Sequence, residues 1–121
     1  MARKKKKKNR VPKEVAQIVV DRADGMCEIM SRETGCNGQA QQLHHRQLRS
    51  QGGRHDVENM IHICEPCHHW AHMHPAVAYT KGWIVKSTKD PSSVPVERRG
   101  KLVLLTEHGG LESAAIKPLD V

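Results

Sequence analysis

The sequence predicts a small α+β domain held together by bound metal, and three observations carry that prediction. The chain has 121 residues, enough for one domain, and only 37% of them are apolar. Phe is absent, and Trp70, Trp83 and Tyr79 are the only aromatic residues. So short a chain with so few large side chains buries a small fraction of its surface, so apolar burial needs a supplement. Four cysteines and nine histidines offer one. The third observation is pattern: one run with helical period, followed by several apolar runs of strand length.

The helical run comes first. Val11, Val15, Ile18 and Val19 fall at spacings of three and four, Pro12 suits a first helical turn, and Gly25 suits the position after the last one. A helix over residues 12–23 is expected. Residues 27–59 are rich in Gly, Gln, Arg and Ser and poor in apolar side chains, which reads as loops and two short strands held by ligands. Met60-Ile61-His62-Ile63 is a strand candidate, and Pro66 opens a helix that runs to about Met73, before Pro75. Trp83-Ile84-Val85 and Leu102-Val103-Leu104-Leu105 read as further strands, separated by a loop containing Pro and Ser. The tail from residue 109 to 121 carries no legible functional signal. The expected organisation is a basic tail over 1–10, one domain over 11–108 with its core at 21–74, and that C-terminal tail.

Charge narrows the function classes. Lys and Arg number 20 against 13 acidic residues, a net charge of +7. Arg3, Lys4, Lys5, Lys6, Lys7, Lys8, Arg10 and Lys13 place eight of those positive charges in the first thirteen residues, with no negative one. The remaining chain is close to neutral, so the basicity belongs to the tail. Such a run is expected to stay disordered until it meets phosphate, where it adds salt-sensitive, sequence-independent affinity. A nuclear address or a solvated tail has the same composition. No run of about 18 apolar residues exists, so no transmembrane helix is expected, and no apolar segment follows the basic N-terminus as in a secretory signal. A cytoplasmic location follows as an expectation.

Reduced thiols in that compartment favour metal over disulfides. Cys64-Glu65-Pro66-Cys67 is a CxxC at the start of a helix, a geometry that aims two thiolates at one point near unpaired N–H groups. Cys27 and Cys36 are the available partners. Four cysteines form a closed, tetrahedral and therefore structural zinc site. The eight-residue gap of the first pair is wider than the usual knuckle. A mixed site, with His62 or His55 replacing one cysteine, is the alternative.

The histidines are grouped too. His44 and His45 are adjacent, while His68 and His72 lie at i and i+4, which brings both rings to one helix face. Adjacent strand residues point to opposite sides, so His44 and His45 are expected to do different jobs. Arg46, Arg49 and Arg54 follow in a loop with Gly52 and Gly53, where the backbone can approach DNA closely. Solvent-exposed arginines are the plain alternative. His69, His55, His62, His74 and His108 read as structural or solvated, and the two tryptophans as core or flank.

The order His44-His45, Asn59, Cys64-x-x-Cys67-His68 and His72, set between the cysteine pairs, resembles the HNH endonucleases over about residues 21–74. The stretch from His45-Arg46 through Ser50-Gln51-Gly52-Gly53 to Asn59 also resembles small HNH proteins of tailed-phage genomes. The resemblance implies a ββα-metal (His-Me finger) core in which two antiparallel strands and a helix surround one catalytic metal. By position it implies His44 and His68 as metal ligands, His72 as a third ligand found in some members, His45 as general base, and Asn59 as the residue that orients the base or its loop. Many relatives carry Asp at the position of His44. An imidazole there favours Zn²⁺, Ni²⁺, Co²⁺ or Mn²⁺ over Mg²⁺, which prefers oxygen.

These features fit phosphodiester hydrolysis on its own terms. A neutral imidazole is a base near neutral pH, and a bound cation stabilises charge on the reacting phosphate. The expectation is a metal-dependent DNA endonuclease with a structural Zn²⁺, one catalytic divalent cation and low sequence preference. It leaves 5′-phosphate and 3′-hydroxyl ends if it follows the resemblance. The alternative is a non-catalytic zinc-stabilised nucleic-acid-binding module. An accessory role in a phage packaging complex is compatible with either, and DNA is the expected partner.

Overall fold

A computed structural model describes residues 10–114. The first helix, α1 (Lys13–Ala23), ends in the left-handed Asp24, whose N–H bonds to the Val20 carbonyl. Gly25 continues the turn with positive φ, so the pair Asp24-Gly25 together ends the helix. Val15, Ile18 and Val19 of α1, with Val11, pack on Leu43, Val57 and Met60. The period read from the sequence is the face that does this packing.

Two strands and a helix form the centre. β1 (Gln42–His45) pairs antiparallel with β2 (Met60–Ile63), Gln42 opposite Ile63 and His45 opposite Met60. α2 (Glu65–Met73) begins directly after β2, with Cys64 as its N-cap and Pro66 in its first turn. Residues 27–59 were expected to hold two strands. They hold one, plus a single bridge between Met26 and Gln39. The sulfurs and side chains described below do the work that a second ladder would have done.

A short helix, α3 (Pro75–Thr80), follows α2 immediately, Pro75 fitting its first turn. A three-stranded antiparallel sheet completes the fold in the order β3 (Val96–Arg98), β4 (Lys101–Leu105), β5 (Leu111–Ser113). β5 lies in the stretch after residue 108 that carried no sequence signal, and it extends the sheet past that boundary. The β3–β4 turn is Arg99-Gly100, both with positive φ, as a two-residue hairpin of right-handed strands requires. Arg99 tolerates that backbone because its guanidinium is anchored on the carbonyls of Ala23, Met26 and Cys27.

Trp83, Ile84 and Val85 do not form the expected strand. All three are buried, and their N–H groups go to Ala78 and to the Arg46 carbonyl rather than to a neighbouring strand. β-branched and aromatic side chains favour burial as much as pairing, and here burial decides. The main core joins Trp83 and Ile84 to Ile29, Ile61, Ile63, Val96, Val103 and Leu105, with Trp70 against its edge.

Two buried ion networks tie the elements together. Glu28, 1% exposed, takes Arg22 Nε at 2.7 Å and Arg98 Nε at 2.7 Å, and accepts from the His62 N–H at 2.9 Å. It thereby joins α1, β2 and β3. Burial opposes the charge on Glu28, but the Arg22 guanidinium, seconded by Arg98 and the His62 N–H, holds its carboxyl below the ordinary 4.5.

Arg46 was expected on DNA; the structure corrects this. It is wholly buried. Nε donates to Gly82 at 2.8 Å, Nη1 to Glu58 at 2.8 Å and Pro91 at 3.1 Å, and Nη2 to Val94 at 2.7 Å. A guanidinium committed to four carbonyls inside the protein has nothing left for phosphate.

Glu28→Gln leaves two guanidinium groups buried without their counter-charge, and should cost about 3–5 kcal/mol of unfolding free energy in urea. Because the folded carboxyl is more acidic than the unfolded one, its contribution is full above pH about 4.5 and is lost as pH falls through the lowered value. The stability gap between wild type and Glu28→Gln should therefore shrink on acidification from neutral pH, and a gap that widens below pH 4.5 contradicts the assignment.

Candidate metal centres

The Cys64-Cys67 pair sits where β2 becomes α2, and Cys27 and Cys36 come from the loop that leaves α1. All four sulfurs lie within 4.8 Å of one another. Cys64 Sγ and Cys36 Sγ are 3.7 Å apart. Two sulfurs on a tetrahedral zinc, each about 2.3 Å from it, are separated by about 3.8 Å, so the spacing suits zinc. Polar groups support each sulfur. The N–H groups of Cys64, Gly38 and Cys67 point at Cys27, Cys36 and Cys64, at 3.3, 3.3 and 3.4 Å. The Thr34 hydroxyl lies 3.0 Å from Cys67 Sγ. Hydrogen bonds of this kind favour the thiolate that a metal needs. The thiol of Cys27 is held down at about 5, chiefly by a hydrogen bond from Cys67. All four cysteines are unpaired as thiols, and three are buried.

The second centre lies across the hairpin and α2. The ring nitrogens of His44, His68 and His72 come within 4.8 Å of one another. His68 and His72 face each other, Nε2 to Nε2, at 3.3 Å. A tetrahedral zinc with nitrogens about 2.0–2.1 Å away sets two ligands about 3.3 Å apart. His44 Nε2 lies 2.8 Å from the Trp83 carbonyl. A carbonyl only accepts, so Nε2 carries the hydrogen and Nδ1 keeps the lone pair that binds metal. Burial, with His68 and His72 adding, pushes His44 down to about 3, so this ring is neutral at any working pH. The three ligands grade from buried His44 through half-buried His68 to exposed His72, leaving one side open to solvent. Three protein ligands with an open side are the form of a catalytic site, whereas four sulfurs close a structural one.

His45 is half-buried at the end of β1. Burial first, then the charges of His55 and Arg49, hold its pKa below the ordinary 6.5. Its Nε2 lies 3.0 Å from His55 Nδ1, a contact that no spacing rule in the sequence announced. No side-chain hydrogen bond joins Asn59 to His45. The side-chain oxygen of Asn59 accepts the Gln47 N–H at 2.7 Å, and its amide donates to the carbonyls of Gln47 at 3.1 Å and Arg54 at 2.9 Å. The side-chain hydrogen bonds of Asn59 thus run to the backbone of the loop after His45 and not to the His45 ring. The loop doubles back so tightly that a Cβ at Gly53 would collide with the Gln47 carbonyl.

The other expected contacts divide. Arg49 is exposed and donates to the Gly53 carbonyl at 2.6 Å, while Arg54 is 80% exposed beside Asp56. Both remain accessible to a ligand, unlike Arg46. Lys4, Lys5, Lys6, Lys7 and Lys8 lie outside the described residues. His74 stacks on Trp70 at 4.0 Å and His62 lies on β2, neither among the metal-centre ligands.

Among the described residues, no helix is long and apolar enough to cross a membrane. No curated protein and no solved structure matches the chain. The HNH endonuclease family model matches residues 26–73, a span that begins beside Cys27 and ends beside His72. Both candidate centres, the loop closed by Asn59 and the whole ββα unit fall inside that span, and residues 26–73 are thus an HNH endonuclease domain.

Proposed function

We propose that the protein is a divalent-metal-dependent DNA endonuclease of low sequence specificity, and the convergence of His44, His68 and His72, with His45 next to His44 in the chain, carries this reading. When bound there, a divalent cation supplies charge stabilisation for the reacting phosphate and the departing 3′ oxygen. An all-imidazole donor set favours Zn²⁺, Ni²⁺, Co²⁺ or Mn²⁺ over Mg²⁺. His45 takes the proton of the attacking water, being neutral near pH 7 and open to solvent on one side. Trp83, through its carbonyl, fixes the tautomer of His44, and Asn59 fixes the loop behind His45. The products are a 5′-phosphate and a 3′-hydroxyl.

A zinc-stabilised binding module without catalysis is the second reading, favoured by the closed cysteine centre alone. It gives no reason for His45 to stand next to an open triad of ligands. The described residues carry no large reading surface beyond the short loop, so Arg49, Arg54 and the basic tail grip the backbone without selecting sequence. A phage origin and a role beside a packaging complex are compatible with this activity.

His45→Ala should slow plasmid cleavage by about a hundredfold or more while metal and DNA binding stay nearly intact. His68→Ala and His44→Ala should instead weaken the catalytic metal, and part of the His68→Ala activity should return at high metal concentration. If His45→Ala loses the metal and His44→Ala keeps it, the roles within the pair are reversed. Wild-type cleavage by both would leave the binding module as the better reading.

The cysteine centre should hold about one zinc per chain through mild dialysis, because structural zinc contributes folding energy outright. Cys67→Ser should lose that zinc and the cooperative thermal transition; native circular dichroism and an unchanged Tm in this variant would contradict a structural zinc. Removal of residues 1–8 should weaken DNA binding and flatten its salt dependence, while turnover at saturating DNA changes little. An unchanged salt slope would mean that Lys4 to Lys8 do not touch phosphate.

A further inference from the structure

His55 takes no part in the activity described so far. It sits in the loop closed by Asn59, whose amide holds the carbonyl of the preceding residue, Arg54, at 2.9 Å. That closure brings His55 Nδ1 to 3.0 Å from His45 Nε2, with ring centroids 5.1 Å apart and planes inclined at 54°. The far nitrogen of His55, Nε2, is buried without a hydrogen-bond partner. His45 Nδ1 has no hydrogen-bond partner among the described residues.

One hydrogen lies between the two rings, and it belongs to one of them. If His55 donates, the neutral ring of His45 must carry its own hydrogen on Nδ1, and no lone pair faces outward. If His45 donates from Nε2, its Nδ1 keeps a lone pair on the unpartnered side. Only the second arrangement leaves His45 able to accept a proton from water. It also places the hydrogen of neutral His55 on the buried, unpartnered Nε2. In either tautomer the Nε2 of His55 is buried without a partner, which is destabilising and calls for an explanation, and a duty toward His45 supplies one.

We infer that His55 is a positioning residue which accepts the His45 Nε2–H at its Nδ1 and so holds His45 in the tautomer and ring orientation that a general base needs. This rests on His45 being the base, as proposed above. The role differs from that of Asn59, which shapes the loop, and from that of Trp83, which fixes a metal ligand.

The test compares His55→Ala, His55→Phe and His55→Asn in the zinc-loaded full chain. Asn places an amide oxygen close to where Nδ1 of His55 stands, whereas Phe restores volume without an acceptor. His55→Ala and His55→Phe should lower kcat on duplex DNA by about ten- to a hundredfold, with KM and the metal titration midpoint unchanged. His55→Asn should recover most of that loss. Nitrogen-15 spectra of labelled histidine should show His45 protonated on Nε2 in the wild type and in His55→Asn, and a tautomer mixture in His55→Ala. The inference is overturned by a wild-type His45 protonated on Nδ1, by an undiminished kcat in His55→Ala, or by a His55→Asn as slow as His55→Ala. If the wild type itself fails to cut DNA, the base assignment is what has failed, and the spectra alone then decide whether His55 sets the tautomer.

Discussion

The guanidinium of Arg46 has been taken out of water without a carboxylate to meet it, and the half of the molecule after α2 is fastened to the HNH unit through it. Burial brings it down to about 10, which still leaves it charged at neutral pH. Four backbone carbonyls, from Gly82, Glu58, Pro91 and Val94, replace its hydration. Hydrogen bonds to a charged group contribute about 1.5–3 kcal/mol each, and without the guanidinium these carbonyls would be left short of donors. Because Arg46 follows His44 and His45 directly, the residue that fastens the fold also fixes the end of the strand that carries these two histidines.

The β1–β2 hairpin is thus secured at both ends. At the Gln42–Ile63 end, Cys64 opens α2 and joins the closed sulfur centre. At the His45–Met60 end, the Arg46 N–H bonds to the Asn59 carbonyl at 2.7 Å, and Asn59 closes the loop between the strands. Between these ends lie the residues that need accuracy. His44 aims at the α2 histidines, and His45 aims at His55. A domain with few apolar side chains obtains rigidity at these positions from sulfur, buried charge and amide hydrogen bonds rather than from a large core.

The clustering of cysteines and histidines was legible in the sequence where their spacing is local: a CxxC at a helix start and an i,i+4 histidine pair say where the side chains point before any fold is known. The period of residues 11–19 and the apolar run at 60–63 were legible for the same reason. Arg46 was not, since an arginine in a Gly-rich loop looks like any surface arginine until carbonyls from 12 to 48 residues away surround it. Trp83-Ile84-Val85 looked like a strand because such residues favour sheets and cores alike, and only tertiary contact separates the two. β5 and the contact between His55 and His45 escaped notice because they are set by a sheet register and a loop closure, neither of which leaves a mark in the spacing.

The open triad of imidazoles is proposed to hold a working cation apart from the one assigned to the cysteines. The most direct measurement is cleavage of supercoiled plasmid by the zinc-loaded protein, titrated with each of Mn²⁺, Co²⁺, Ni²⁺, Zn²⁺ and Mg²⁺. The account predicts nicked or linear DNA with the imidazole-preferring ions, weaker action with Mg²⁺, and saturation at one added ion per chain. Intact plasmid with every ion, from protein that still binds DNA and keeps its structural zinc, would contradict it.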